Sequence, residues 1–185
     1  MIMAGKLETI GKILYTEADI AKRAKELCKQ IEKDYEGEDV LVLGTLKGSV
    51  LWMGEIMKNL SASTEIDFIC ASSYGSSTVS SGVVKITYEP TANMYNKHVL
   101  VIEDIVDTGN TLKYLKAKLA ERGPKSVAVC TMLNKQARRT TDLVPEYIGF
   151  EVDDLFIVGY GLDYDQKFRG LPYISYLEES DVESL

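Results

Sequence analysis

An α/β fold, with a mostly parallel central sheet flanked by helices, is predicted by three features of the sequence. Apolar runs of strand length, at residues 40–44, 99–102 and 126–133, alternate with segments whose apolar residues recur at helical spacing. Two of these runs pass through a short polar turn directly into a helix, the unit from which parallel sheets are built. No internal repeat and no shift in composition divides the chain, so one domain over residues 1–185 is expected.

Residues 1–14 are weakly patterned and read as a strand or arm leading into the first helix. Thr16 followed by Asp19 is a helix-start signature, a hydroxyl with a carboxylate three residues on. Ile20, Ala24, Leu27, Cys28 and Ile31 then share one face, and the charged stretch 32–39, with Gly37, closes the helix. The apolar run 40–44 reads as a buried strand. After the turn 45–49 comes a helix with Met53, Ile56, Met57 and Leu60 inward. Residues 65–71 and 83–88 alternate as strands should, and the serine- and glycine-rich run 72–82 between them is expected to be mobile, either a plain surface loop or a lid. Past the connector 90–97, His98 opens the strand 99–102. Leu112, Leu115 and Leu119 mark the following helix, stopped by Arg122-Gly123-Pro124. Strands are then expected at 126–133, at 147–152 and, as the last core strand, at 155–160, with an acidic, frayed tail from Glu178.

The stretch 99–111, Val-Leu-Val-Ile-Glu-Asp-Ile-Val-Asp-Thr-Gly-Asn-Thr, carries the chemistry. Its carboxylates Glu103, Asp104 and Asp107 and its turn Thr108-Gly109-Asn110-Thr111 fall between a strand end and a helix start. Free N–H groups at a helix start, close approach at Gly109 and the hydroxyls of Thr108 and Thr111 suit a phosphate monoester. Carboxylates beside a phosphate repel it unless they accept hydrogen bonds from sugar hydroxyls or help to hold a hard divalent cation. Phosphate, sugar diol and magnesium together describe a phosphorylated ribose.

Composition sets bounds. A net charge of −7 argues against a broad basic surface, so no nucleic-acid partner is expected. Cys28, Cys70 and Cys130 lack metal-type spacing and read as buried free thiols, which suits a reducing cytoplasm. No apolar run approaches the ~18 residues of a membrane span and no signal-peptide core is seen, so a soluble, cytoplasmic protein without a membrane partner is expected. The sole histidine, His98, lies at the opposite end of its strand from the carboxylates and reads as structural. Lys47, the 103–107 carboxylates, Lys135 and Asp163 all follow predicted strand ends. In a parallel sheet they line one edge, where ligands bind.

The run 99–111 resembles the phosphoribosyl-pyrophosphate signature of the type I phosphoribosyltransferases. The block 156–169, Phe-Ile-Val-Gly-Tyr-Gly-Leu-Asp-Tyr-Asp-Gln-Lys-Phe-Arg, is similar to the branch acting on 6-oxopurines. The resemblance spans about residues 40–176 and departs from the pattern at Gln136-Ala137, where relatives often carry a nearby proline. It implies the type I phosphoribosyltransferase fold with a small hood from the chain ends. It also implies transfer of a 5-phosphoribosyl group from phosphoribosyl pyrophosphate to hypoxanthine or guanine, giving IMP or GMP and pyrophosphate, with Mg2+ as cofactor. Relatives form dimers and tetramers, so a homo-oligomer is implied.

On this resemblance Glu103 and Asp104 bind the ribose hydroxyls, directly or through metal-bound water. Asp107 takes the purine proton as catalytic base or merely orients the base, and residues 107–111 cradle the 5′-phosphate. Lys47 and Gly48 belong to a pyrophosphate loop in which the Leu46–Lys47 bond can be cis; on residues alone Lys47 reads rather as a solvated loop charge. Arg169 forks onto pyrophosphate, Asp163 joins Glu103 and Asp104 as a metal contact, and Ser73 and Tyr74 lie on the lid. Lys135, a pure donor, selects the exocyclic oxygen; Phe156 stacks on the purine, and main chain near Ile157 and Asp163 reads the 2-position. The alternatives are a xanthine-preferring transferase, a nucleotide-sensing regulator on the same fold, or a phosphate-binding module without catalysis.

Overall fold

The computed structural model describes residues 10–61, 64–73, 84–178 and 181. Among the described residues nine strands form two sheets, accompanied by three α-helices: β1 Lys12–Tyr15, α1 Glu17–Asp34, β2 Val40–Leu46, α2 Val50–Met57, β3 Glu65–Ser73, β4 Val84–Tyr88, β5 His98–Val106, α3 Asn110–Ala120, β6 Ser126–Asn134, β7 Tyr147–Glu151, β8 Phe156–Val158 and β9 Ile174–Leu177. The main sheet has the order β4-β3-β2-β5-β6-β7; only β4 runs antiparallel to its neighbour. A smaller antiparallel sheet, β1-β9-β8, joins the two ends of the described chain and forms the hood.

Alternation along the central strands feeds two cores. Val42, Leu100, Ile102 and Cys130 face α1, α2 and the hood, packing on Ile20, Leu27, Trp52 and Ile56. Leu41, Leu43, Val99, Val101 and Val129 face the other way, onto Leu112, Leu115 and Leu119 of α3. Most of these side chains are fully buried, each worth about 1.5–3 kcal/mol of transfer free energy. Thr16 caps α1 as the sequence requires: its hydroxyl accepts from Asp19 N–H while the Asp19 carboxylate accepts from the Thr16 N–H.

Four elements differ from the sequence reading. Helix α2 stops at Met57, and Leu60 packs from the turn beyond it. Strand β5 continues through the carboxylates to Val106, because Glu103, Ile105 and Val106 still pair with Thr131, Leu133 and Asn134 of β6. Glu103 and Asp104 are therefore strand residues. The apolar run after Leu155 is not in the main sheet; it supplies β8 of the hood, beside β9, which the reading missed. Cys28 and Cys130 are buried free thiols as expected, but Cys70 is only half-buried.

Among the described residues no helix is long and apolar enough to cross a membrane. His98 opens β5, its Nδ1 2.7 Å from Ser126 Oγ. The connector after β4 is pinned by Asp67, whose carboxylate accepts from the N–H groups of Thr91 and Ala92 at 2.7 and 2.8 Å and of Phe68 at 2.7 Å. Partial burial works against the charge, but those donors outweigh it and hold the carboxyl below its usual range. A depressed carboxyl stabilises the fold above the unfolded pKa and loses that contribution as pH falls. Asp67→Ala is expected to cost about 1–2 kcal/mol at pH 7, and the gap to wild type in thermal melts should close as pH drops below about 4.

Candidate active site

Strand order reverses between β2 and β5: the chain steps from β2 outward to β3, then returns to β5 on the other side and continues to β6 and β7. A crevice opens at such a switch point, beyond the carboxyl ends of the strands. There a cavity of about 330 Å³ is lined by Thr45, Lys47 and Gly48 from β2, by residues 103–109 from β5, by Thr111 from α3, and by Asp163 and Arg169 from the hood. Larger cavities exist elsewhere, but neither gathers a comparable set of phosphate and diol partners.

Three segments meet at close quarters. A Cβ on Gly48 would lie 1.5 Å from Asp104 Oδ2, so only glycine lets that carboxylate rest against the loop. In turn a Cβ on Gly161, whose φ is +104°, would lie 1.9 Å from the Gly48 carbonyl oxygen. The hood turn is thereby pressed onto the β2 loop, and Tyr160 Oη donates to Glu55 Oε2 of α2 at 3.0 Å beside it. The Leu46–Lys47 bond is cis.

Glu103 Oε1 accepts from Thr45 Oγ1 at 2.9 Å and from Asp104 N–H at 3.2 Å. Burial, with Asp104 alongside, pushes the Glu103 carboxyl well above the usual range. Two adjacent carboxyl groups, hard oxygen donors set side by side at a strand end, fit a divalent cation such as magnesium. No group of three or more potential metal-binding side chains is found among the described residues, which fits an ion that keeps most of its waters. Asp163 faces the same cavity but is paired with Arg169 at 2.6 Å.

The turn after β5 leads into α3 through Gly109, at φ +84°, with no side chain capping the helix. Among the described residues its first N–H groups, apart from the weak contact of Asn110, are thus open to a ligand. Thr108 Oγ1 accepts weakly, at 3.4 Å, from Asn110 N–H, and Asn110 itself is exposed. Asp107 Oδ1 is buried without a hydrogen-bond donor among the described residues; its nearest cation is Arg138 Nε at 3.5 Å. Lys47 Nζ reaches Gln166 Oε1 of the hood at 3.3 Å, and Arg169 Nη1 donates to Gly161 O at 2.7 Å.

Lys135, Phe156 and Ile157 do not line this cavity. Lys135 follows β6, is buried, and donates to Leu155 O at 2.7 Å with Asp154 Oδ1 3.5 Å away. Phe156 is half-exposed and edge-on to Tyr164; the Ile157 side chain is core. Asp163 and Arg169 arrive by way of the hood, not from a parallel strand end. Ser73 ends β3, while Tyr74 and the rest of the expected lid to residue 83 lie outside the described residues. Sequence reading missed Thr45, which orients Glu103, and Arg139, which binds the main chain at Asp107 at 3.0 Å; in the sequence each is an ordinary polar residue of a loop or strand end.

A switch-point crevice with an acidic pair, an open helix start and cations on facing loops is compatible with binding a sugar phosphate. Residues 11–165 match the phosphoribosyl transferase domain family. The chain is 45% identical over 172 residues to a hypoxanthine-guanine phosphoribosyltransferase of Streptococcus mutans, covering 93% of this chain and 96% of the relative. It is 42% identical over 175 residues to that of Bacillus subtilis, covering 95% and 97%. A crystal structure of a hypoxanthine phosphoribosyltransferase from Staphylococcus aureus superposes with a TM-score of 0.90 at 39% identity, over 95% of this chain and 98% of that one. The chain belongs to the phosphoribosyltransferase family, within its hypoxanthine-guanine branch.

Gly48→Ala is expected to displace Asp104 and lower kcat about a hundredfold while the melting temperature moves by only a few degrees. Steady-state kinetics alongside thermal melts check this.

Proposed function

We propose that the protein salvages purines by transferring the 5-phosphoribosyl group of phosphoribosyl pyrophosphate to hypoxanthine or guanine, releasing pyrophosphate. The observation that carries the reading is the single cavity shared by Lys47, Glu103, Asp104, Asp107, Gly109, Thr111, Asp163 and Arg169. The N–H groups of residues 108–111 and the Thr108 and Thr111 hydroxyls hold the 5′-phosphate. Glu103 and Asp104 accept from the ribose hydroxyls. Lys47 and Arg169 bind the pyrophosphate, Arg169 by exchanging part of its pairing with Asp163. Glu103, Asp104 and Asp163 would hold magnesium, in part through water; when bound, the ion neutralises the leaving group.

Asp107, with an oxygen free of hydrogen-bond donors, accepts the proton from the purine nitrogen that attacks the anomeric carbon. Lys135 offers only donors, so it favours an exocyclic oxygen over an amino group. Its present acceptor, Leu155 O, adjoins Phe156, which would stack on the purine; the main chain at Ile157 and Asp163 would read the 2-position. A cytoplasmic homo-oligomer without nucleic-acid partners accompanies this reading, on the strength of family membership and the net charge of −7.

The direct test is pyrophosphate release with each purine offered in turn. Hypoxanthine and guanine should support magnesium-dependent release that a chelator abolishes, with adenine inert. Dominant use of xanthine would favour the rival transferase, and no release with any base would favour a sensor. Asp107→Asn should lower kcat by about 10²–10⁴ and largely spare binding of phosphoribosyl pyrophosphate; near-wild-type turnover removes Asp107 from the role of base.

A further inference from the structure

We propose that Arg139 is a positioning residue of the phosphoribosyl site, fixing the main chain between β5 and α3 so that its N–H groups face the cavity. The proposal rests on residues 107–111 being the 5′-phosphate cradle. Arg139 is half-buried and its guanidinium spreads over oxygens from separate segments. Nε donates to Asp107 O at 3.0 Å, Nη2 to Val106 O at 3.3 Å and to Asn134 Oδ1, and Nη1 to Leu143 O. The residues that follow continue the pattern. Thr140 N–H donates to Thr108 O at 3.0 Å, and the hydroxyls of Thr140 and Thr141 each approach the same oxygen at 3.3 Å.

The carbonyls of Asp107 and Thr108 are thus both turned onto residues 139–141, while that of Val106 accepts from the Lys135 N–H at 2.9 Å and is shared with Arg139. In a trans peptide the N–H points opposite to the C=O. Turning Asp107 O and Thr108 O toward Arg139 and Thr140 therefore turns the N–H groups of Thr108 and Gly109 the other way. These are the donors a phosphate monoester needs. Arg139 also seals the back of the turn: a Cβ on Gly109 would meet Thr141 Oγ1 at 2.4 Å and Arg139 Cδ at 3.0 Å.

Only a planar fork reaches oxygens on three segments at once, whereas a lysine ammonium on a flexible stem would hold one or two. Every acceptor is a neutral oxygen, and no carboxylate pairs with Arg139 among the described residues. Its charge therefore remains available beneath the turn and adds to the attraction for an anion above it.

The test compares wild type with Arg139→Lys, which keeps the charge, and Arg139→Gln, which does not. The readouts are Kd for GMP in magnesium-free buffer, Kd for inorganic pyrophosphate with magnesium, KM for phosphoribosyl pyrophosphate, and melting temperature. Both variants should weaken GMP and raise that KM by about tenfold or more, with pyrophosphate affinity within about twofold and the melting temperature within a few degrees. Wild-type GMP affinity in Arg139→Lys overturns the positioning role, leaving charge alone. Parallel loss of GMP and pyrophosphate with a falling melting temperature overturns it in favour of general structural support. Gly109→Ala separates the proposal from its premise. If it leaves GMP affinity unchanged, the cradle reading fails and this inference with it; if it weakens GMP while Arg139→Lys does not, only the role of Arg139 fails.

Discussion

The structure turns on a place where there is no room for a methyl group. Asp104, from the end of β5, rests against Gly48 of the β2 loop, and Gly161 of the hood rests on the carbonyl of Gly48. Segments separated by more than fifty residues in either direction are fixed at van der Waals distance. Because β2 and β5 are neighbours at the reversal of strand order, this contact lies over the crevice. The distance between the acidic pair, Lys47 and the hood cation Arg169 follows from it.

The second constraint is electrostatic. A chain of net charge −7 builds a site for a polyanion, and it places carboxylates at the centre of that site. Burial and the proximity of Asp104 already raise the Glu103 carboxyl. On the proposed function the arrangement becomes favourable once the facing partners are donors: sugar hydroxyls, a hydrated divalent ion, and the backbone N–H groups at the start of α3. Lys47 and Arg169 supply cations from the facing loops, Arg169 being paired there with Asp163.

Much of this was legible in the chain. The capping box at Thr16, the two-faced apolar strands at 40–44 and 99–102, and the turn at Gly109 each carry a local physical signature. What was not legible depended on partners distant in sequence. Strand β5 runs on through Glu103 because β6 continues to pair with it, and no side-chain pattern announces main-chain pairing. The apolar run forming β8 is buried against the same core as the main sheet, so its composition does not reveal which sheet owns it. Strand β9 spans only Ile174–Leu177, too short for a period to emerge. Arg139 reads as one more surface cation after Arg138; its role is set by carbonyl oxygens some thirty residues upstream.

The central claim is that the acids tolerate an anionic neighbour because a sugar diol and a divalent ion stand between them. A crystal structure with phosphoribosyl pyrophosphate and magnesium tests it most directly. The account predicts the monoester among the N–H groups of residues 108–111, the ribose hydroxyls at Glu103 and Asp104, and the pyrophosphate toward Lys47 and Arg169. A sugar phosphate bound elsewhere, or one lying with its hydroxyls turned away from Glu103 and Asp104, would contradict it.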